Sequence, residues 1–197
     1  MTTTPIVPRW EWRAFGRSFA AAEERFGAQP PERVQESDEL YVLSKTVDEN
    51  VKVRDGLLDV KQLENVNADG LEQWVPVLKE PFPLAASTAA AVLERLAVPV
   101  HSPEHDQYTL DEFVRELVAP SPALLAVQVH KRRQRYTVGG CMAELTDLRT
   151  DVGETRTVAV ESDDPDRVIA TVRELGLASF PNTSFPRGLK ALALGAQ

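Results

Sequence analysis

The sequence predicts an α+β fold: antiparallel strands closing into a β-barrel, with helices flanking it. Two hairpins and one alternating strand carry that prediction. The first hairpin is Val51–Leu63, VKVRDGLLDVKQL. Two short runs there flank Asp55-Gly56, the strongest short-range hairpin signal. A two-residue turn at Asp55-Gly56 sets Arg54 opposite Leu57, Val53 opposite Leu58, Lys52 opposite Asp59 and Val51 opposite Val60. Cross-strand partners share a face, so one face carries Lys52, Arg54, Asp59 and Lys61. The other carries Val51, Val53, Leu58 and Val60. The second hairpin is Gln128–Leu148, around Gly139-Gly140. One of its faces carries Lys131, Arg133, Arg135 and Glu144. The other carries His130, Arg132, Gln134, Tyr136, Ala143 and Asp147. Near the start of the chain Arg9, Glu11 and Arg13 alternate with Trp10 and Trp12.

Two readings fit such a pattern. A sheet with one apolar face ordinarily turns it to a core and the charged face to water. That reading accounts for the first hairpin alone. The recurrence in three β segments favours a barrel, whose inward positions alternate with outward ones on every strand. A barrel lined by Lys and Arg is a pocket for a polyanion.

Composition sets the outer limits. The 197 residues are 43% hydrophobic and 26% charged, enough for one globular domain with a sizeable core. We expect a single domain over 1–197, with residues 1–7 a frayed lead. The net charge of −8 argues against general nucleic-acid or anionic-membrane binding. The basic strands are therefore exceptions in an acidic protein, which points to a focused interior site. The single cysteine, Cys141, suits a reducing, cytoplasmic compartment and a buried structural thiol. No apolar run reaches transmembrane length, and Met1–Pro8 lacks the plan of a signal peptide.

The remaining elements follow in order. Pro8–Arg13 reads as the first strand. Phe15–Phe26 reads as a helix, with Phe15, Phe19, Ala22 and Phe26 on one stripe. Ser37–Leu43 reads as a strand. Trp74–Lys79 reads as a short strand with edge character because of Pro76. Ser87–Leu96 is a predicted helix capped by Ser87. Val98–His105 holds His101, Glu104 and His105, but Pro103 interrupts any helical metal-ligand spacing, so a polar loop is expected. Thr109–Val118 is a predicted helix opened by a Thr109/Glu112 capping box, with Leu110, Phe113, Val114 and Leu117 inward. Leu124–Val138 is a long strand, apolar in its first half and basic in its second. Thr155–Ser162 is the next strand. The helix Pro165–Leu175 is capped by Asp164.

The order of these segments resembles the CYTH, or triphosphate tunnel metalloenzyme, superfamily. Arg9–Arg13 (RWEWR), the basic hairpin at Val51–Leu63, the VHKRR run at Val129–Arg133 and TVAVES at Thr157–Ser162 carry the resemblance. It spans roughly Arg9 to Lys190. It implies an eight-stranded antiparallel tunnel that binds a triphosphate through inward Lys and Arg, with inward Glu residues holding Mg²⁺ or Mn²⁺. On this chain the implied phosphate ligands are Arg9, Arg13, Lys52, Arg54, Lys61, Lys131, Arg133 and Arg135. The implied catalytic, metal-holding acids are Glu11, Glu144 and Glu161. Asp38, Tyr41 and Ser184 are weaker matches. The chain departs from the family pattern twice. Arg9 stands where the first strand has an acid, and Ala159 stands where TVAVES has one. One cation site is then expected rather than two, with Arg9 in the tunnel as a phosphate ligand or as a partner of Glu11.

Two functions remain open at this point. One is hydrolysis of inorganic triphosphate or another triphosphate compound with a divalent metal. The other is a tunnel that binds polyphosphate or a nucleotide without turnover. A third reading, a protein-binding domain on an unrelated barrel, predicts no phosphate affinity. Other catalytic schemes lack their motifs: GxxxxGK[ST], GxSxG, HExxH and CxxC are all absent. Whether the protein is a monomer or a homodimer is open.

Overall fold

A computed structural model describes residues 8–99 and 104–195. In chain order the elements are β1 (Trp10–Gly16), α1 (Ala20–Gly27), β2 (Arg33–Ser44), β3 (Asn50–Arg54), β4 (Leu57–Val66) and β5 (Glu72–Pro81). Next come β6 (Leu84–Ala85), α2 (Ala86–Arg95), β7 (Gln107–Tyr108) and α3 (Leu110–Glu112), which runs into a π-helical turn, Phe113–Val118. The chain continues with β8 (Leu124–Val138), β9 (Cys141–Thr150), β10 (Gly153–Ser162), α4 (Pro165–Glu174) and α5 (Phe185–Ala193). Eight antiparallel strands form a closed ring in the order β1-β10-β9-β8-β2-β3-β4-β5. It closes where Trp10 and Glu11 pair with Gln73 and Glu72.

Both hairpins adopt the register their turns dictate. Asp55 and Gly56 have φ of 53° and 72°, and Gly139 and Gly140 have 58° and 74°. Two successive positive φ values match the right-handed twist of the flanking strands. Arg54 therefore pairs with Leu57 and Lys52 with Asp59, and Arg135 pairs with Glu144.

The ring is unusual in where its apolar face points. The outward residues Trp12, Ala14, Val158, Val160, Tyr136, Val138, Ala143 and Leu145 pack under α1 and α4. The outward residues Leu40, Val42, Val51, Val53, Leu58 and Val60 pack under α2 and the π-helical turn. Burying such side chains is worth about 1.5–3 kcal/mol each as an upper estimate. The helices thus cover the apolar outer face, and the polar face is left to line the interior. One end of the interior is different. There Tyr41, Leu43, Val127, Val129 and Leu148 meet Phe185 and Leu189 of α5, which plugs the ring. Lys190 of α5 anchors the plug, donating to Ser44 O, Val47 O and Asp48 Oδ1 at 3.0, 3.1 and 2.6 Å.

Several sequence expectations change in detail. The first strand extends to Gly16, so Phe15 belongs to β1. It points into the ring and packs on Phe185 at 5.6 Å between centroids. Only Phe19, Ala22 and Phe26 of the expected stripe join the outer core. The strand containing Pro76, β5, pairs with β1 at Glu72 and Gln73, but among the described residues Pro76 itself pairs with β4 alone, in keeping with the edge character expected there. Pro76 is accommodated at a register shift, where β4 passes from Val60 opposite Leu78 to Lys61 opposite Pro76. Such a bulge tolerates the missing N–H. The N-cap of α2 is Ala85, not Ser87, and makes no side-chain cap. The Thr109/Glu112 capping box and the Asp164 cap both form. His101 and residues 1–7 lie outside the described residues. Among the described residues, no helix is long and apolar enough to cross a membrane.

The plug gives a first test of the packing. Gly188 of α5 faces Phe15, and a Cβ added there would overlap the ring. Overpacking a core typically costs about 1–3 kcal/mol. Gly188→Ala is therefore expected to lower the denaturant midpoint. Gly27→Ala, which meets nothing within 4 Å, should leave it unchanged or raise it. Equal midpoints for Gly188→Ala and wild type would contradict the seating of α5.

Candidate functional site

Beyond the plug the ring encloses a cavity of about 300 Å³. Lys52, Arg54, Lys61, Lys131, Arg133 and Arg135 all line it, together with Arg13. Glu11, Asp59, Glu144 and Glu161 line it too, so seven cationic side chains face four carboxylates. Phe185 forms the floor. Its ring lies 3.7 Å from Lys131 Nζ and 5.5 Å from Arg13 Cζ. A wider opening beyond Glu11, Lys61, Trp74 and Glu161 is rimmed by Arg9, Met142 and Asp163.

A carboxylate that sequence reasoning did not single out sits behind the cavity wall. Glu39 of β2 has no exposed side-chain surface. Its Oε1 lies 2.9 Å from Arg133 Nη2 and 3.6 Å from Arg54 Nη1. Its Oε2 lies 3.0 Å from Lys131 Nζ and 3.4 Å from Lys52 Nζ. Ser37 and Tyr41 hydroxyls donate to the two oxygens at 3.1 and 2.9 Å. Burial works against the charge on Glu39, but Lys131, Lys52 and Arg133 outweigh it and hold its pKa far below the usual carboxylate range. Burial, with Lys52 and Arg133 adding to it, pushes Lys131 well below an ordinary lysine, and Glu39 opposes that shift. Burial and then Glu39 raise the Tyr41 phenol, so Tyr41 stays a neutral donor. The expected match at this strand, Asp38, points outward and pairs with His130 at 2.8 Å.

The three acids expected to share a cation all line the cavity, each with its own nearest partners. Glu11 and Glu161 are direct cross-strand partners between β1 and β10, which puts their Cβ atoms about 4.5–5.5 Å apart. Burial, and then the charge of Glu11, push the Glu161 carboxyl up to about 7. Glu144 is engaged elsewhere: it accepts from Thr146 at 2.9 Å and lies 3.6 Å from Arg135 and 4.0 Å from Arg13. Burial opposes its charge, but Arg13 and Arg133 lower its pKa overall. Among the described residues, the three do not bring ligand oxygens within 4.8 Å of one another. Glu11 and Glu161 are thus neighbours across β1 and β10, and Glu144 lies nearest the arginines while its charge still acts on Glu161.

Arg13 does what was expected of Arg9. Its Nε donates to Glu11 Oε1 at 2.7 Å, and Nη1 donates to Thr157 at 3.2 Å. Burial disfavours its charge, yet Glu11 and Glu144 raise its pKa overall. Arg9 is exposed at the mouth and approaches Met142 Sδ at 3.9 Å. Ala159 is buried between Arg13 and Glu144 in the strand register, leaving no acid there. Ser184 begins α5 with a buried hydroxyl that has no hydrogen-bond partner. Glu72, also unforeseen, is buried, accepts from Trp74 Nε1 at 2.9 Å and pairs with Arg187 of α5. Outside the ring, Glu104, His105 and Glu116 bring ligand atoms within 4.8 Å. His105 already bonds Glu116 at 2.8 Å, and Arg115 takes the other Glu116 oxygen.

No family model matches the sequence, and no curated protein matches it either. Solved structures do resemble it. HpAC1 from Hippeastrum, described as having a dominant triphosphatase activity, is 14% identical with a TM-score of 0.50; the match covers 96% of this chain and 97% of that one. A conserved hypothetical protein from Pyrococcus furiosus is 15% identical with a TM-score of 0.48, covering 90% and 98%. The inorganic triphosphatase NE1496 is 12% identical with a TM-score of 0.33, covering 86% and 80%. At such identities the likeness is one of fold, and the overlap with HpAC1 extends over nearly the whole of both chains. The closed eight-stranded ring of this protein has the triphosphate-tunnel, or CYTH, fold.

Proposed function

We propose that the tunnel binds a triphosphate-class anion and hydrolyses it with one divalent cation held by Glu11 and Glu161. One observation carries the anion: seven Lys and Arg side chains face a cavity closed at one end. Among them Arg133 Nε is a buried donor without an acceptor, and Arg135 Nε makes no hydrogen bond, with Glu144 Oε2 3.6 Å away. Phosphate oxygens supply such acceptors, and guanidinium forks suit them.

The donor chemistry fits a hard cation. Burial, and then repulsion from Glu11 in direct register, leave Glu161 holding its proton up to about pH 7. A divalent ion relieves that repulsion through oxygen ligands, and Mg²⁺ is commonly held by one or two carboxylates plus substrate phosphates. When bound, Mg²⁺ or Mn²⁺ supplies charge that offsets what develops on the phosphate oxygens. The chain's own residues hold and orient the anion: Arg133 and Arg135 through their forks, Lys131 and Lys61 as point charges. Phe185 and Tyr41 close the inner end against water. The single cysteine and the acidic exterior suit a cytoplasmic protein acting on a small anion.

A second reading, binding without turnover, draws on two observations. Ala159 replaces an acid, and Arg13 ties itself to Glu11 and approaches Glu144. Phosphate release from inorganic triphosphate with Mg²⁺ or Mn²⁺ decides between them, beside metal-free calorimetry. Metal-dependent release supports hydrolysis. Tight metal-free binding with no release selects the binding tunnel, and neither result would refute both.

A further inference from the structure

We propose that Glu39 is a built-in counter-anion: it holds the tunnel's central cations together when no ligand is bound and limits how tightly the tunnel grips a polyanion. The proposal rests on the anion-binding reading above. Lys52 and Arg54 reach Glu39 from β3, and Lys131 and Arg133 reach it from β8. One carboxylate oxygen, Oε1, serves the two arginines and the Ser37 hydroxyl, and the other, Oε2, serves the two lysines and the Tyr41 hydroxyl. Four like charges gathered from two strands repel one another with little water to screen them. One buried carboxylate at their centre offsets that repulsion.

The position of Glu39 separates this role from ligand binding. It has no exposed surface and stands behind the wall, so it occupies none of the space an anion needs. Its charge nevertheless acts on the same four cations that a phosphate would use. Arg13 of β1 adds a further positive charge to the cavity; Glu144 of β9 acts on Arg133 and Lys131, and Asp59 of β4 on Lys52, while Glu39 lies within 4 Å of all four cations. Carboxylate and ligand therefore oppose each other by linkage: whatever Glu39 contributes to the empty tunnel reduces the gain on filling it. A weaker grip lets a product anion leave.

Glu39→Gln keeps the shape and removes the charge. Three results are expected. The Lys131 ammonium, followed by NMR, titrates at least about one pH unit lower than in the wild type. The apo protein is less stable to denaturant, and adding Lys52→Met to Glu39→Gln restores part of the loss, because one repelling charge has gone. Metal-free inorganic triphosphate binds about tenfold more tightly, from the more positive field. An unchanged Lys131 titration overturns the proposal, as does a stability loss that Lys52→Met deepens. If the wild type binds triphosphate and Glu39→Gln binds it no more tightly, the limit on grip is wrong. If the wild type binds no triphosphate, the tunnel reading fails, while the titration and the denaturant cycle still decide whether Glu39 holds the cations. Should Glu39→Gln alone not fold, a folded Glu39→Gln/Lys52→Met protein supports the charge-holding role, and failure of both variants to fold overturns it.

Discussion

Mn²⁺ binds the Glu161→Gln protein at least tenfold more weakly than the wild type, and metal-dependent phosphate release is lost with it. That is the expected result if Glu11 and Glu161 hold the cation, since loss of a ligand removes an oxygen donor and a charge together. The pH dependence gives an independent reading. With the Glu161 carboxyl pushed up to about 7, the cation must displace a proton below that pH. Wild-type Mn²⁺ affinity should then fall steadily between pH 7 and 5.5 and level off above 7.5. Stability moves in the opposite sense. The folded protein holds this proton between about pH 4.3 and 7, where an unfolded Glu has lost it. More protons are bound in the native state across that window, so this group's contribution to stability declines as pH rises through it. Glu161→Gln lacks the decline and should be the more stable protein at pH 8 in metal-free buffer. Isothermal titration at four pH values and denaturant midpoints at pH 5 and 8 check both. Mn²⁺ affinity flat across pH 5.5–8, or unaltered in Glu161→Gln, would sink the pairing.

What the sequence made legible, and what it did not, follows from how each strand is pinned. The two hairpins were readable because a two-residue turn fixes register, and a fixed register fixes parity. Asp55-Gly56 and Gly139-Gly140 thus assigned Lys52, Arg54, Lys61, Lys131, Arg133, Arg135 and Glu144 to one side, and all of them line the cavity. β2 has no such pin. Its run SDELYVL offers acids at successive positions, 38 and 39, on opposite faces. A one-residue choice of parity separates exposed Asp38 from buried Glu39. Tyr41, two residues beyond Glu39, shares its face and was the available signal.

Phe15 failed for a different reason. Its spacing from Phe19 fits a helical turn, but the chain changes from strand to helix between them. Large apolar residues also face inward at the plugged end, so inward does not mean charged along the whole tunnel. Closure was the least legible feature. Pro76 signals an edge, and it does lie past the pairing with β1 among the described residues, but the closure at Glu72 and Gln73 has no local signal. Glu72 and Arg187 belong to the same blind spot, since only closure and the α5 plug bring them together.

Neighbouring residues on β8 offer the sharpest test of the tunnel, because consecutive side chains on a strand face opposite ways. Arg133 points inward, buried, with Glu39 and Ser37 at 2.9 Å and its Nε without an acceptor. Arg132 points outward, 43% exposed, between Glu36 at 3.8 Å and Asp147 at 3.7 Å. Arg133→Gln is expected to weaken metal-free triphosphate binding by roughly 2–5 kcal/mol, the range for losing one partner of a desolvated charge pair. The affinity loss is then at least about thirtyfold. Arg132→Gln should leave affinity within about twofold, because an exposed ion pair contributes little. Neither change should unfold the protein. Glu39 keeps Lys52, Arg54 and Lys131 when Arg133 is neutral, so no buried charge is stranded. Calorimetry of the two variants side by side, with a circular dichroism melt for each, makes the comparison. Equal losses from both would place the anion outside the ring, and a loss from Arg132→Gln alone would move it to the outer face of β8.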